Sequence, residues 1–370
     1  MVKLESLRDK AMEKMYDLFE YLTPIWKTDK VVNETFMFVG EGDEAPFLFP
    51  PKEIVRVTNH ALTKEYEEGV DYVVKDGKFK PLKGGAIPYY AVDDYYTKES
   101  GRWSILVDKD KIPYELDGVR YLTYGEGDAF TRNQVAVTYF TDGKWQGKIP
   151  EGKSERLRGF CEKLEKKQPI RLTFYGDSIM AGCNASGTPM GGNVPPYMDA
   201  FAGMVTEYLI KRFGGEIEMR NVSQGGWDTL AAFNAFDERV LPTNPDLLVL
   251  GFGMNDLHTP LDEYKAMFEE MILRLRRQNP QAEVLLVATM WPHVESTWVL
   301  NQIHTLEKQL ELEEKYPFVA VADVTTLHKD IMASGKRYRD MTANNINHPN
   351  DFMVRIYGQV ILKTILGDAF

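Results

Sequence analysis

The sequence predicts an α/β unit over residues 151–370, a five-stranded parallel sheet flanked by helices, preceded over residues 1–150 by an all-β unit of sandwich or jelly-roll type. Three observations carry this prediction. The chain is 370 residues long, more than twice an ordinary domain, so two separately cored units are expected. Beyond about residue 150, short apolar runs alternate with helical patterns, which implies right-handed βαβ units and a parallel sheet covered on both faces. Between about residues 31 and 145 the pattern is instead one of short Val-, Tyr-, Phe- and Thr-rich stretches broken by turn signals.

Taken in order, Leu4, Leu7, Met12, Met15, Phe19 and Leu22 recur at roughly helical spacing, so an amphipathic packing helix is expected over 4–23. Ile54-Val55-Arg56-Val57 and Gln134 to Phe140 read as strands, and Asp76-Gly77, Gly84-Gly85 and Asp142-Gly143 as turns. The parallel strands are expected at 170–175, 216–222, 246–251, 283–289 and 318–322. Around the helix after the third of these, Thr259 is a candidate cap, Pro260 suits the first turn and Asn279-Pro280 marks the end. The stretch Gly147-Lys148-Ile149-Pro150-Glu151-Gly152-Lys153-Ser154 matches the literal spacing of a phosphate loop. Pro150 lacks an N–H, Glu151 adds a negative charge and polar residues separate it from the strand before it, so it reads as an interdomain linker.

Composition narrows the function. A net charge of −11 opposes phosphate backbones, so nucleic acid is not an expected partner. No apolar run reaches the ~20 residues of a membrane span. The start lacks the pattern of a secretory signal, so a cytoplasmic location is expected. Cys161 and Cys183 are the two cysteines and read as free thiols. None of the six histidines, at 60, 258, 293, 304, 328 and 348, forms a pair with zinc-ligand spacing, so neither a metal nor a cofactor is required.

Open parallel sheets place their sites beyond the carboxyl ends of the strands. There the first strand runs into Gly176-Asp177-Ser178, a turn that presents a hydroxyl to the crevice. A serine nucleophile needs a base and donors for the oxyanion it creates. The loop Ser223-Gln224-Gly225-Gly226-Trp227 offers close backbone approach, and Gly253-Met254-Asn255-Asp256 offers a side-chain amide. After the fifth strand comes Asn344-Asn345-Ile346-Asn347-His348-Pro349-Asn350-Asp351, where Pro349 biases His348 to an extended backbone and Asn350 suits a helix cap. These four blocks, in this order, resemble the SGNH (GDSL) hydrolases over roughly residues 170–370. The resemblance implies a flavodoxin-like fold and ester hydrolysis, with Ser178 as nucleophile and His348 as base. It also implies that the Ser178 N–H, the Gly226 N–H and the Asn255 amide bind the oxyanion, and that an acyl-enzyme is then hydrolysed.

One position departs from that pattern. The acid that the family carries three residues before its histidine is here Asn345, which can orient a ring through its carbonyl oxygen but supplies no charge. Asn345, Asp340, Asp351 or a backbone carbonyl are the candidates for that role, with Asn345 or a carbonyl preferred. Asp177, Trp227, Trp291 and His293 are candidate substrate contacts, as is His258 close to Asn255, and Trp291, Tyr197 and Trp227 read as either sugar-stacking platforms or packed aromatics. For Asn184 and Ser186 two roles stay open, contacting substrate or capping a helix. The layout of a β unit before an SGNH unit points to a small-acyl carbohydrate esterase, with a lysophospholipase or thioesterase as the alternative and a decayed glycan-binding protein as a third reading. The expected partner is a small-molecule or oligosaccharide ester, and homo-oligomerisation is left open.

Overall fold

The computed structural model describes residues 14–101 and 103–370, so positions 4–13 of the opening helix expected over 4–23 lie outside the described residues. Within that stretch, Leu18–Tyr21 forms one helical turn capped by Asp17. The five parallel strands are Ile170–Gly176, Ile217–Asn221, Leu247–Gly251, Glu283–Ala288 and Val319–Asp323, each within a residue or so of the expected span. Their spatial order is second, first, third, fourth, fifth, which puts the first strand inside the sheet with the crossover on either side of it. Alternate residues of the strands face opposite layers. Leu172 and Phe174 pack with Phe201, Leu209 and Tyr357, whereas Tyr175, Leu248 and Leu250 pack with Phe236, Phe268 and Leu312.

The helix Leu261–Gln278 stops at Asn279 as the punctuation predicts, but Pro260 stands at its cap position and not in its first turn. The hydroxyl of Thr259 does not cap it and donates instead to Asp256 Oδ1 at 2.9 Å.

The N-terminal part is antiparallel and β-rich, arranged as three small sheets of three strands each. The largest comprises Lys30–Met37, Gln134–Phe140 and Glu53–Asn59, with Gln134–Phe140 in the middle. It packs on the sheet containing Tyr72–Lys75 and Lys78–Pro81 through an aromatic cluster: Phe79 stacks on Tyr72, Phe36 and Phe38 at 4.8, 5.5 and 5.7 Å. The third sheet docks on the loop after the fourth parallel strand, where the Asp108 N–H donates to Glu295 O at 2.9 Å and the Thr297 N–H to Leu106 O at 3.0 Å.

The apolar core runs without a break from this β-rich region into the parallel-sheet layer. Phe36, Val57 and Tyr139 belong to the same cluster as Phe352, Ile356 and Leu362 of the last helix, Asp351–Leu366. That helix lies between the two and is buried along all 16 of its residues. Its polar side chains are therefore spent on backbone groups that water cannot reach. Arg355 donates to Val32 O and Asn33 O at 2.8 and 3.1 Å, and Gln359 to Tyr21 O and Thr23 O at 3.2 and 3.0 Å. Among the described residues, no helix is long and apolar enough to cross a membrane.

Candidate active site

The nucleophile turn depends on two close approaches. A Cβ at Gly176 would stand 2.3 Å from Gly251 O and 2.4 Å from Met180 Cβ, so glycine alone lets the first strand end directly over its neighbour. The chain then turns at once into the short helix Ser178–Ala181, closed by Gly182 at φ +81°. Asp177 is the cap of that turn, accepting from the Ile179 N–H at 2.9 Å. Its carboxyl is buried; burial pushes it up to about 7 against its backbone N–H donors, and the nearby Asp256 adds to the rise. The carboxyl thus lies beneath the turn and not toward substrate, a correction to the expectation from sequence. Asp177→Asn, which keeps the acceptor without the charge, is expected to melt within a few degrees of wild type. Asp177→Ala, which strands a buried N–H, should lose roughly 1–3 kcal/mol in denaturant unfolding.

Ser178 Oγ lies 2.8 Å from His348 Nε2, and each residue is only 6% exposed. The histidine is held through its backbone: Asn344 Oδ1 accepts the N–H groups of Ile346, Asn347 and His348, each at 3.0 Å. His348 O accepts from the Thr342 hydroxyl at 2.9 Å and from the Ala343 N–H at 2.8 Å. Asn350 then caps the final helix through the Met353 N–H at 3.2 Å. This loop is fastened to the antiparallel sheet, because Asn350 Nδ2 donates to Thr35, Gln134 and Asp340, and Gln134 Nε2 donates to Thr342 O at 2.7 Å.

The other ring nitrogen, Nδ1, meets Asn184 Oδ1 at 2.5 Å. Asn184 Nδ2 donates to Met190 O at 3.1 Å and Gly127 O at 3.3 Å, which assigns the oxygen of the amide to the ring. His348 Nδ1 must then carry the proton, leaving the Nε2 lone pair to accept from Ser178. Glu126 Oε1 stands 3.7 Å from the same Nδ1. Burial would raise the Glu126 carboxyl, but its contact with His348 and the hydrogen bond from the Tyr124 hydroxyl hold it down at about 2.

Asn345 does not reach the ring. It sits at φ +66°, accepts from the Tyr95 hydroxyl at 2.8 Å and donates to Thr123 O at 3.0 Å. Its amide ties the histidine loop to the β-rich region, and the orienting contact expected of it is made by Asn184. Asp340 is taken up by Arg337 and the Met37 N–H, at 2.9 and 2.8 Å. Asp351 accepts from the Ser186 N–H at 2.9 Å and faces His60 at 4.0 Å. Neither acid turns to His348.

The remaining loops converge on the same corner. Gln224 donates its N–H to Gly176 O at 2.9 Å, which lays the second loop over the end of the first strand, and a Cβ on Gly225 would stand 3.7 Å from Ser178 Cβ. Gly226 has φ +79°, with open space where a side chain would stand, so its backbone faces the crevice bare. Asn255 Nδ2 donates to Trp227 O at 2.9 Å, and Asp256 accepts from the Thr229 N–H and hydroxyl at 3.0 and 2.9 Å. The second and third loops are thereby locked to each other. On the oxyanion role that the family resemblance implies for Asn255, Asn255→Ala is expected to lower kcat about 100- to 1,000-fold in steady-state ester hydrolysis, with little change in KM.

Other expected contacts lie elsewhere or are partly covered. His293 is fully buried against Tyr338, with ring centroids 4.3 Å apart, and burial holds it neutral with a pKa of about 3, so it does not line the crevice. Trp227 and Trp291 are half-buried, each with a cation over one face of the ring, Arg239 and Lys329 respectively, both at 4.5 Å. His258 is exposed and lines a groove with Asn255, Leu230 and Met267. Burial and the Glu126 anion push the Cys183 thiol up to about 12, so it stays protonated beside the nucleophile. In the phosphate-loop match, the Lys148 N–H donates to Asp330 at 2.7 Å and Lys153 pairs with Glu313 at 2.6 Å, so the chain's own carboxylates occupy these groups. Among the described residues, no group of three or more His, Cys, Asp and Glu side chains is placed to hold a metal ion.

Residues 174–356 match the GDSL-like Lipase/Acylhydrolase family. No curated protein matches at a significant level. Similar solved structures include a two-domain esterase (CEX) active on acetylated mannans, co-crystallised with mannopentaose, at 19% identity and TM-score 0.46, covering 57% of this chain and 53% of that one. Axe2, an acetylxylan esterase from Geobacillus stearothermophilus, is 18% identical at TM-score 0.45, covering 54% and 95%. LAE5, an α/β hydrolase enzyme from the metagenome of Lake Arreo, Spain, is 16% identical at TM-score 0.43, covering 52% and 93%. The chain spans about half the length of the two-domain esterase.

Proposed function

Because residues 174–356 make the chain a member of the GDSL-like lipase/acylhydrolase family, and hence a carboxylic ester hydrolase, we propose that it removes small acyl groups, acetyl above all, from carbohydrate esters through Ser178 and His348. The observation that carries the reading is the line from Ser178 Oγ through the two nitrogens of His348 to Asn184 Oδ1, which fixes the tautomer a general base needs.

Ser178 Oγ attacks the ester carbonyl carbon while His348 Nε2 takes its proton. The carbonyl oxygen becomes an oxyanion, held by the N–H groups of Ser178 and Gly226 and the amide of Asn255. The imidazolium gives its proton to the departing sugar oxygen as the C–O bond breaks, leaving Ser178 acylated. Water then attacks the acyl carbon with His348 again as base, and acetic acid leaves.

The test uses acetylated manno- and xylo-oligosaccharides, the sugar classes of the neighbouring structures, together with 4-nitrophenyl esters of two to eight carbons. Acetate is expected to be the best acyl group. An apolar acyl pocket gains roughly 0.8 kcal/mol per buried methylene, so kcat/KM climbing steadily from acetate to octanoate would replace the acetyl reading with a long-chain one. Wild type is also expected to be labelled by a fluorophosphonate serine probe. An unlabelled, inactive protein would remove the esterase mechanism altogether.

A further inference from the structure

Resting on the esterase reading above, we propose that Glu126, supplied by the N-terminal β-rich region, is the charged positioning residue of the catalytic centre, acting on His348 together with Asn184. The catalytic machinery is then divided. Asn184 sets the ring's tautomer and direction, and Glu126 supplies the negative charge.

Three observations lead there. First, the side chain that touches Nδ1 is neutral: Asn184 Oδ1 at 2.5 Å can hold the N–H but cannot balance a positive ring. When His348 takes the proton of Ser178, a cation forms at a site only 6% exposed, where an unbalanced charge is costly. Second, among the described residues Glu126 is the one acid within 4.0 Å of a nitrogen of His348, with Oε1 3.7 Å from Nδ1, and the contact becomes an ion pair when the ring takes the proton of Ser178. Third, Glu126 is fastened in place by the same groups that fasten Asn184. The Gly127 N–H donates to Met190 O at 3.0 Å, Gly127 O and Met190 O both accept from Asn184 Nδ2, and the Tyr124 hydroxyl donates to Glu126 Oε1. Asn344, whose oxygen holds the backbone of His348, directs its Nδ2 to the same Glu126 oxygen at 3.5 Å.

The charged and titratable groups facing the carboxylate are His348, the Tyr124 hydroxyl and the Cys183 thiol. With the carboxyl held down at about 2, it is an anion throughout the working range of an esterase. A centre assembled in this way is incomplete without the β-rich region, although the nucleophile, base and oxyanion donors all lie in the other half of the chain.

The test is made on the full chain with 4-nitrophenyl acetate, reading kcat and KM separately. Glu126→Gln keeps the shape and removes the charge; because Asn184 still holds the tautomer, the expected loss is about 10- to 100-fold in kcat, smaller than that of a disrupted triad, with KM within about threefold. Glu126→Asp should recover several-fold of that loss. In the Glu126→Gln background, Asn184→Asp moves a carboxylate onto Nδ1 and should restore kcat, a result that a merely structural role for Glu126 does not produce. Thermal melting of each variant accompanies the kinetics. A Glu126→Gln enzyme within twofold of wild-type kcat overturns the proposal. So does failure of both Glu126→Asp and the double variant to exceed Glu126→Gln, whatever their melting temperatures. A wild type without esterase activity or probe labelling counts against the parent reading and is told apart by that control.

Discussion

Ser178→Ala is expected to lower kcat for ester hydrolysis by about 10⁴-fold or more, to leave the melting temperature within a few degrees and to abolish fluorophosphonate labelling. The magnitude follows from the proposed mechanism, in which Ser178 Oγ and His348 Nε2, 2.8 Å apart, act as one unit, so that removing either end removes covalent catalysis. His348→Ala should therefore be about as damaging, and Ser178→Ala/His348→Ala no worse than either single change. In the proposed mechanism, what remains in all three is the activity that the oxyanion donors assigned to the second and third loops support. Losses that multiply in the double variant would show that Ser178 and His348 act independently, and the mechanism would have to be rebuilt around another base.

Lys336→Met is expected to be the most destabilising single change in the network that joins the β-rich region to the histidine loop. Lys336 Nζ and Glu34 Oε1 are 2.7 Å apart, with both side chains fully buried. Glu34 also accepts from the Leu48 N–H at 3.0 Å and the Tyr139 hydroxyl at 2.6 Å, and the Lys336 ammonium lies 3.7 Å from the centre of the Phe36 ring. Removing the ammonium leaves a carboxylate without a counter-charge in the core, a change that costs about 3–5 kcal/mol. Equilibrium unfolding in urea should show this as a lower midpoint. Lys336→Met/Glu34→Gln, which removes both charges, should recover part of the loss. If the single variant unfolded at the wild-type midpoint, the pair would not contribute to holding the two regions together. Because Lys336 lies on the chain segment leading to His348, activity should fall before the rest of the molecule unfolds.

How much of this was legible beforehand depended on how local the signal was. Each parallel strand stands within about a residue of its expected span; four of them are largely buried apolar runs with little freedom of composition, whereas the edge strand Ile217–Asn221 is largely exposed. The helix end at Asn279 and the cap at Asn350 were legible because a helix end is satisfied by residues next to it in sequence. The opening helix was only partly testable, and the separate cores expected for the two halves are one continuous apolar cluster built around the last helix.

Among the candidate site residues, those misassigned are the ones whose roles are set by distant partners. Asn345 occupies the position where a local rule expects the orienting group, yet its amide is taken by Tyr95 and Thr123, some two hundred residues away. His293 stands at a strand end, where ligand contacts are common, but it is fully buried with Tyr338 packed against its ring. Asp177 looked like part of the crevice and proved to be the cap beneath it. Asn184 was visible but ambiguous, and Glu126 carried no signal, because in its own neighbourhood it is an ordinary acid between two glycines.

By itself, then, the order of residues determined the strands, their helices and the loops from which a hydroxyl, an imidazole and amide donors project. Those features follow from periodicity, backbone geometry and turn chemistry, which act over a few residues. The tertiary structure alone decided which groups face the second nitrogen of His348. That choice rests on electrostatics and hydrogen bonding across space, where a carboxylate from the β-rich region and an amide from the nucleophile loop meet the ring because the two halves share one core.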